Sequence, residues 1–144
     1  MLIGGTSEHV ELTRVEVQAA VAGASAGGDV RVIARVRFGD FGGTVDAWIA
    51  RDTWSTFSEQ LIALERTRQG KAMLESMSPG ELRLCLRSLD RQGHMGVEGE
   101  LTHNLYGAGG RRPQLLQLQF DAMEFDPTLL PRLIAEIVSL PNGG

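Results

Sequence analysis

The side chains of this chain that could do chemistry are three histidines, one cysteine, a glycine-rich basic loop and a few clustered carboxylates. Imidazole serves as metal ligand and as general base, so His9, His94 and His103 come first. No two of them are spaced to share one helix face, and none is near the cysteine, so no metal site is expected. Cys85 lies on the outer phase of a strand, where its hairpin register sets it opposite Glu98. A neighbouring carboxylate disfavours the thiolate a nucleophile needs. Arg83 and Arg87 on the same face offset that in part, but no histidine aligns as a base. The thiol reads as structural or incidental.

The run Gly107-Ala-Gly-Gly-Arg-Arg112 looks like a phosphate cradle. Such cradles need a terminal Lys-Ser/Thr or a following helix, whereas here Pro113 and then a strand follow. It reads as a hairpin connection carrying two arginines. Acid–base carboxylates would be sought among Glu98, Glu100, Asp121, Glu124 and Asp126. Glu98 and Glu100 share one strand face and, without a pocket, are ordinary solvated charges. No cofactor motif and no catalytic constellation is expected. What remains is charge: Arg31, Arg35 and Arg37 on one strand face, and Arg83 and Arg87 with Glu98 and Glu100 on another. One reading is the wet side of a one-sided sheet. The sharper reading is an electrostatically steered protein interface made of these same residues.

The elements that would carry these residues are strands. From Val30 to Phe38 the apolar side chains fall on every second position, with arginines in most gaps, the mark of a strand with one face in a core and one in water. The stretch from Val10 to Val21 alternates too, but slips phase near Thr13-Arg14, as a β-bulge would make it. Gly23 to Gly28 reads as the loop between these strands. Asp40 to Gly43 is a turn into a third strand through Val45, Ala47 and Ile49. A helix follows, with Asp52 as N-cap, Trp54, Phe57, Leu61 and Leu64 at helical spacing, and Gly70 as its left-handed end. Ala72 to Met77 is a short strand closed by Pro79-Gly80. Asp90-Arg91-Gln92-Gly93 then has the chemistry of a type I turn. That turn pairs Leu86 with Val97, Leu84 with Gly99 and Leu82 with Leu101 inside. Outside, it pairs Arg83 with Glu100, Cys85 with Glu98 and Arg87 with Gly96. Leu115 to Phe120 is the last strand, with Leu116, Leu118 and Phe120 on one face. A helix through Leu130, Leu133, Ile134, Ile137 and Val138 ends the pattern, with Thr128 as cap and Pro131 in its first turn.

At 144 residues the chain suits one domain, residues 1–144. A formal charge of −4 argues against general nucleic-acid binding. A single cysteine excludes an internal disulfide and a cysteine-cluster zinc site. No stretch approaches the roughly 20 apolar residues of a membrane span, and Met1 to Gly5 lacks the basic and apolar regions of a secretory signal. The expected compartment is the cytoplasm.

Beyond single elements, the order of motifs from Trp48 onward resembles the small bacterial WapI-type immunity-like family. The likeness is carried by Gly70-x-Ala72-x-Leu74, Glu81-Leu82-x-Leu84, Gly93-His94-x-Gly96-Val97-x-Gly99, Leu118-x-Phe120 and Asp126-x-Thr128-Leu129-Leu130. It covers about the C-terminal two thirds, and most of its positions are glycines and core residues. The chain departs from the family at Met95, where a branched aliphatic is common, and in an Arg-Arg-Pro insertion before the last strand. The resemblance implies a cytoplasmic protein that protects its cell by binding a cognate toxin, and transfers no catalytic residue.

The expected fold is therefore α+β: an antiparallel sheet of about six to seven strands, meander plus hairpin, with one helix after the third strand and a C-terminal helix, both packed on one face. The Val30–Phe38 strand should be central. The expected function is that of a non-enzymatic protein-binding domain, with an immunity-type inhibitor of a toxin as its concrete form. Two alternatives stay open: a small-molecule-binding or enzymatic domain with its site between sheet and helix, and a homodimer formed through an exposed strand or helix.

Overall fold

The computed structural model describes residues 1–19, 28–105 and 114–138. The glycine loop before Gly28, the Gly107–Arg112 run with Pro113, and the tail from Pro141 fall outside these residues. Along the described chain come β1 (Leu2–Gly4), β2 (Glu8–Val17), β3 (Val30–Phe38), β4 (Phe41–Ile49), α1 (Arg51–Thr67), β5 (Lys71–Glu75), β6 (Leu82–Ser88), β7 (Met95–Leu105), β8 (Gln114–Phe125), a 3-10 turn (Pro127–Leu129) and α2 (Leu130–Val138).

The strands do not form one sheet. They make two antiparallel four-stranded sheets, β1-β2-β3-β4 and β5-β6-β7-β8, each in simple chain order. Alternation reveals which residues share a face, but not which strand lies beside it, so the split is invisible in the pattern. The chain passes from the first sheet to the second through α1. The helices also do not share one face of a single sheet. Instead α1 runs beside β5 and packs on α2. One apolar cluster joins both sheets to Phe57, Leu61 and Leu64 of α1 and Leu130, Leu133 and Ile137 of α2. Burying a side chain such as Phe57 contributes about 1.5–3 kcal/mol.

Within the first sheet β3 is internal, as expected, with Val30, Val32, Ala34 and Val36 buried. The bulge in β2 falls between Arg14 and Glu16, one residue beyond the expected slip. The β3–β4 turn is Gly39-Asp40, so β4 begins at Phe41 rather than after Gly43. β1 was not visible in the pattern because three residues are too few to show a period.

The β6–β7 register is the expected one at every pair from Leu82–Leu101 to Arg87–Gly96. Helix ends differ more. The N-cap of α1 is Ala50, and Asp52 lies inside the first turn without a capping bond. Asp29 supplies the cap instead, its Oδ1 accepting from the Arg51 backbone N–H at 3.0 Å. The left-handed residue that ends α1 is Arg68 (φ 59°), with Gly70 (φ 98°) two positions beyond. At the other end, Asp126 rather than Thr128 is the cap. Its Oδ1 accepts from the Thr128 N–H at 3.0 Å, with Pro127 following as first residue of the turn.

Candidate functional site

The charged residues singled out in the sequence divide between two surfaces, because each sheet turns its own outer face to water. Arg31, Arg35 and Arg37 stand on the outer face of the first sheet; Arg83, Arg87, Glu98 and Glu100 stand on that of the second. They do not form one patch.

On the first sheet the three arginines differ in how far they are neutralised. Arg31 is clamped by Asp46, through bonds of 2.9 and 2.6 Å, and by Glu16 at 3.3 Å. The hydrogen bonds that Arg31 donates to these carboxylates raise its pKa, and the same guanidinium lowers that of Asp46. Among the described residues Arg35 has only Glu11, at 3.8 Å. Arg37 donates from Nε to the Gly39 carbonyl at 3.1 Å, and among the described residues its terminal nitrogens meet no carboxylate.

On the second sheet Arg87 pairs with Glu98 at 3.3 Å and reaches Asp121 at 3.9 Å. The expected Arg83–Glu100 ion pair does not form, although the two residues are opposite in register. Glu100 turns to β8, accepting from the side-chain amides of Gln119, opposite it in register, and of Gln117. Exposed pairs of this kind are worth about 0–1 kcal/mol.

Cys85 carries the outer phase but is buried, since β6 is internal and the long side chains of its neighbours surround so small a group. Burial, then the Glu98 charge, pushes its thiol pKa up, which is the reverse of an activated nucleophile. His94 bonds Asp90 at 2.5 Å within its own turn, His9 bonds the Gly5 carbonyl at 3.1 Å, and His103 is exposed. Among the described residues no group of three His, Cys, Asp or Glu side chains comes close enough to hold a metal.

A feature the sequence did not single out lies between the sheets. At one end their inner faces diverge around a cavity of about 730 Å³. The first sheet contributes Phe38, Phe41, Gly43 and Val45. The second contributes Leu101 and the alternating Leu116, Leu118 and Phe120, with His103 at the rim. The Phe38 and Phe120 rings close its floor, their centroids 5.2 Å apart. Leu116, Leu118 and Phe120 do share a face, as expected, but that face outruns the core: Leu116 is 69 % exposed and Leu118 and Phe120 half-buried. Phe41, in a stretch read as turn, is 79 % exposed. A large aromatic beside Gly39-Asp40 was the signal for it. The concavity is thus between two sheets, rather than between sheet and helix.

On the other side of the β3–β4 tip lies a shallower hollow of about 440 Å³, lined by Arg35, Arg37 and Asp40. Phe41, Gly42, Gly43 and Thr44 border both depressions.

No helix among the described residues is long and apolar enough to cross a membrane. No curated protein and no solved structure matches the chain. A protein-family profile, that of the Immunity protein WapI-like family, matches residues 1–140. That match extends the likeness of the C-terminal motifs to the N-terminal sheet. The apolar residues of those motifs help pack β5 to β7: Ala72, Leu74, Leu82, Leu84 and Val97 are buried. By this match over nearly its whole length, the chain belongs to the WapI-like immunity protein family.

Proposed function

We propose that this protein is an immunity-type inhibitor that neutralises a cognate toxin by direct, stoichiometric binding, without catalysis, in the cytoplasm. Family membership supports the immunity role. The observation that carries direct binding is the apolar mouth between the sheets, where Phe41 and Leu116 stand in water beside charged strands. Exposed apolar surface rimmed by polar groups is the usual composition of a protein-binding patch. Rigid strands hold these side chains in place before any partner arrives, which lowers the ordering cost of association.

The test is affinity capture of partners from lysate of the source organism, identified by mass spectrometry. A single stoichiometric protein, lost when exposed residues of one face are reversed in charge, is the expected outcome. An empty capture under several growth conditions overturns the reading.

A second reading places a small apolar ligand in the same groove. Its volume supports this, falling in the roughly 300–1,000 Å³ range of ligand pockets. A saturable rise in melting temperature with one member of a metabolite panel is the mark of that alternative.

A further inference from the structure

At the tip of the β3–β4 hairpin Phe41, Gly42, Gly43 and Thr44 line two depressions at once. The apolar groove reaches the tip from the inner face, and the basic hollow reaches it from the outer face. Gly42 and Gly43 form the ridge between them and carry no side chain to separate the two. A Cβ on Gly42 would come within 2.8 Å of the Val36 carbonyl oxygen, so the ridge stays bare. The tip is also held in place, since Gly39 N–H donates to the Ser7 carbonyl at 2.8 Å and Arg37 Nε to the Gly39 carbonyl.

Among the described residues the two outer arginines of this tip are held more loosely than Arg31. Arg31, two strand repeats before Arg35, has two close carboxylates, whereas Arg35 has one at 3.8 Å and Arg37 has none among the described residues. Asp40, at the end of the hollow, is the opposing charge there. Two guanidinium groups that still have donors to offer, on a rigid strand, suit carboxylates in a planar two-bond geometry.

We propose that this tip receives an extended segment of a partner protein in which apolar and acidic side chains alternate. The apolar ones enter the groove against Phe41, Leu118 and Phe120, and the carboxylates meet Arg35 and Arg37. An extended chain projects successive side chains to opposite sides, and the two depressions lie on opposite sides of one strand, so a period of two matches both. The proposal rests on the toxin-binding reading and adds the chemistry of the segment bound.

The test uses two peptides of about six residues, long enough to span a strand. One alternates leucine with glutamate, and the other leucine with lysine. Each is titrated into the isotope-labelled protein by NMR. The leucine–glutamate peptide is expected to move the amide resonances of residues 38–44 and 116–120. Its affinity should fall at least about tenfold in the R35E/R37E double variant and on raising the salt. Phe41→Ser should weaken it as well. All three side chains are exposed, so the variants should stay folded, the R35E/R37E melting temperature falling only by what the Arg35–Glu11 pair and the Arg37–Gly39 bond contribute; if Phe41→Ser unfolds, the arginine variant still decides. Absence of these shifts, an equal response to the lysine peptide, or indifference to R35E/R37E overturns the proposal. So does a dimer seen by light scattering and abolished by Phe41→Ser, since a second copy would then fill the groove. A captured toxin that survives R35E/R37E but is lost in R83E/R87E would sink this proposal alone and leave the toxin-binding reading standing.

Discussion

Arg31 on β3 grips Asp46 on β4 diagonally across the outer face, Nε–H donating to Oδ1 at 2.9 Å and Nη2 to Oδ2 at 2.6 Å. The residue directly opposite Arg31 on β4 is Trp48, and Asp46 stands opposite Ile33. On the other side Glu16 of β2 is paired in register with Arg31 and accepts from Nη1 at 3.3 Å. A single guanidinium thus ties three strands together just after the β2 bulge.

This clamp has a consequence in acid. The Asp46 carboxyl is held below its ordinary range, first by the hydrogen bond from Arg31. A depressed carboxylate contributes stability that is present above its unfolded pKa, about 4, and lost as the pH falls through its folded value. Thermal melts of the protein and of Asp46→Asn should therefore differ at neutral pH and converge below about pH 4. Curves that stay parallel down to acid would show that the clamp adds no proton-linked stability.

Gly99 makes a packing prediction. It sits beside the irregular register between Val97 and Gly99 on β7. A Cβ there would lie 2.5 Å from the Arg83 carbonyl oxygen and 2.9 Å from Phe120 Cζ. The first contact is backbone and cannot swing away, so Gly99→Ala should destabilise the protein by about 1–3 kcal/mol, the cost of overpacking. Gly5→Ala, where an added Cβ meets nothing within 4 Å, is the control and should stay within about 0.5 kcal/mol. Denaturant midpoints of the two variants measure the contrast, and equal midpoints would refute the steric account.

What could be read from the chain was local. The Asp90–Gly93 turn set the β6–β7 register because a short turn leaves one pairing that keeps both faces consistent. The alternation of Val30 to Phe38 marked a core strand for the same reason. The groove was illegible because alternation assigns Leu116, Leu118 and Phe120 to a face but says nothing of where the opposite sheet ends. Likewise Cys85 has the outer phase yet is buried by neighbours of greater length. The cap of α1 was hidden by distance, since Asp29 reaches the helix from 22 residues upstream of Arg51. The charged faces were legible as faces. How far each arginine is neutralised depended on diagonal partners such as Asp46, which alternation does not pair.

The β6–β7 turn offers a titration that isolates one ion pair. Asp90 accepts from the backbone N–H of Gln92 at 2.8 Å and of His94 at 3.2 Å, and its other oxygen meets His94 Nδ1. The Asp90 carboxylate, by hydrogen bond and by charge, raises the His94 pKa above the ordinary 6.5. A raised imidazole contributes stability that is fully present below the unfolded pKa and lost as the pH rises through the folded one. The stability gap between the protein and His94→Gln should thus be widest below about pH 6.5 and narrow above it. The imidazole resonances of His94, followed by NMR, should titrate above 6.5 and move back towards it in Asp90→Asn, which keeps the side-chain oxygen for the turn and removes the charge. A midpoint unmoved by that substitution would mean that the short Asp90–His94 contact is not carried by the ionised pair.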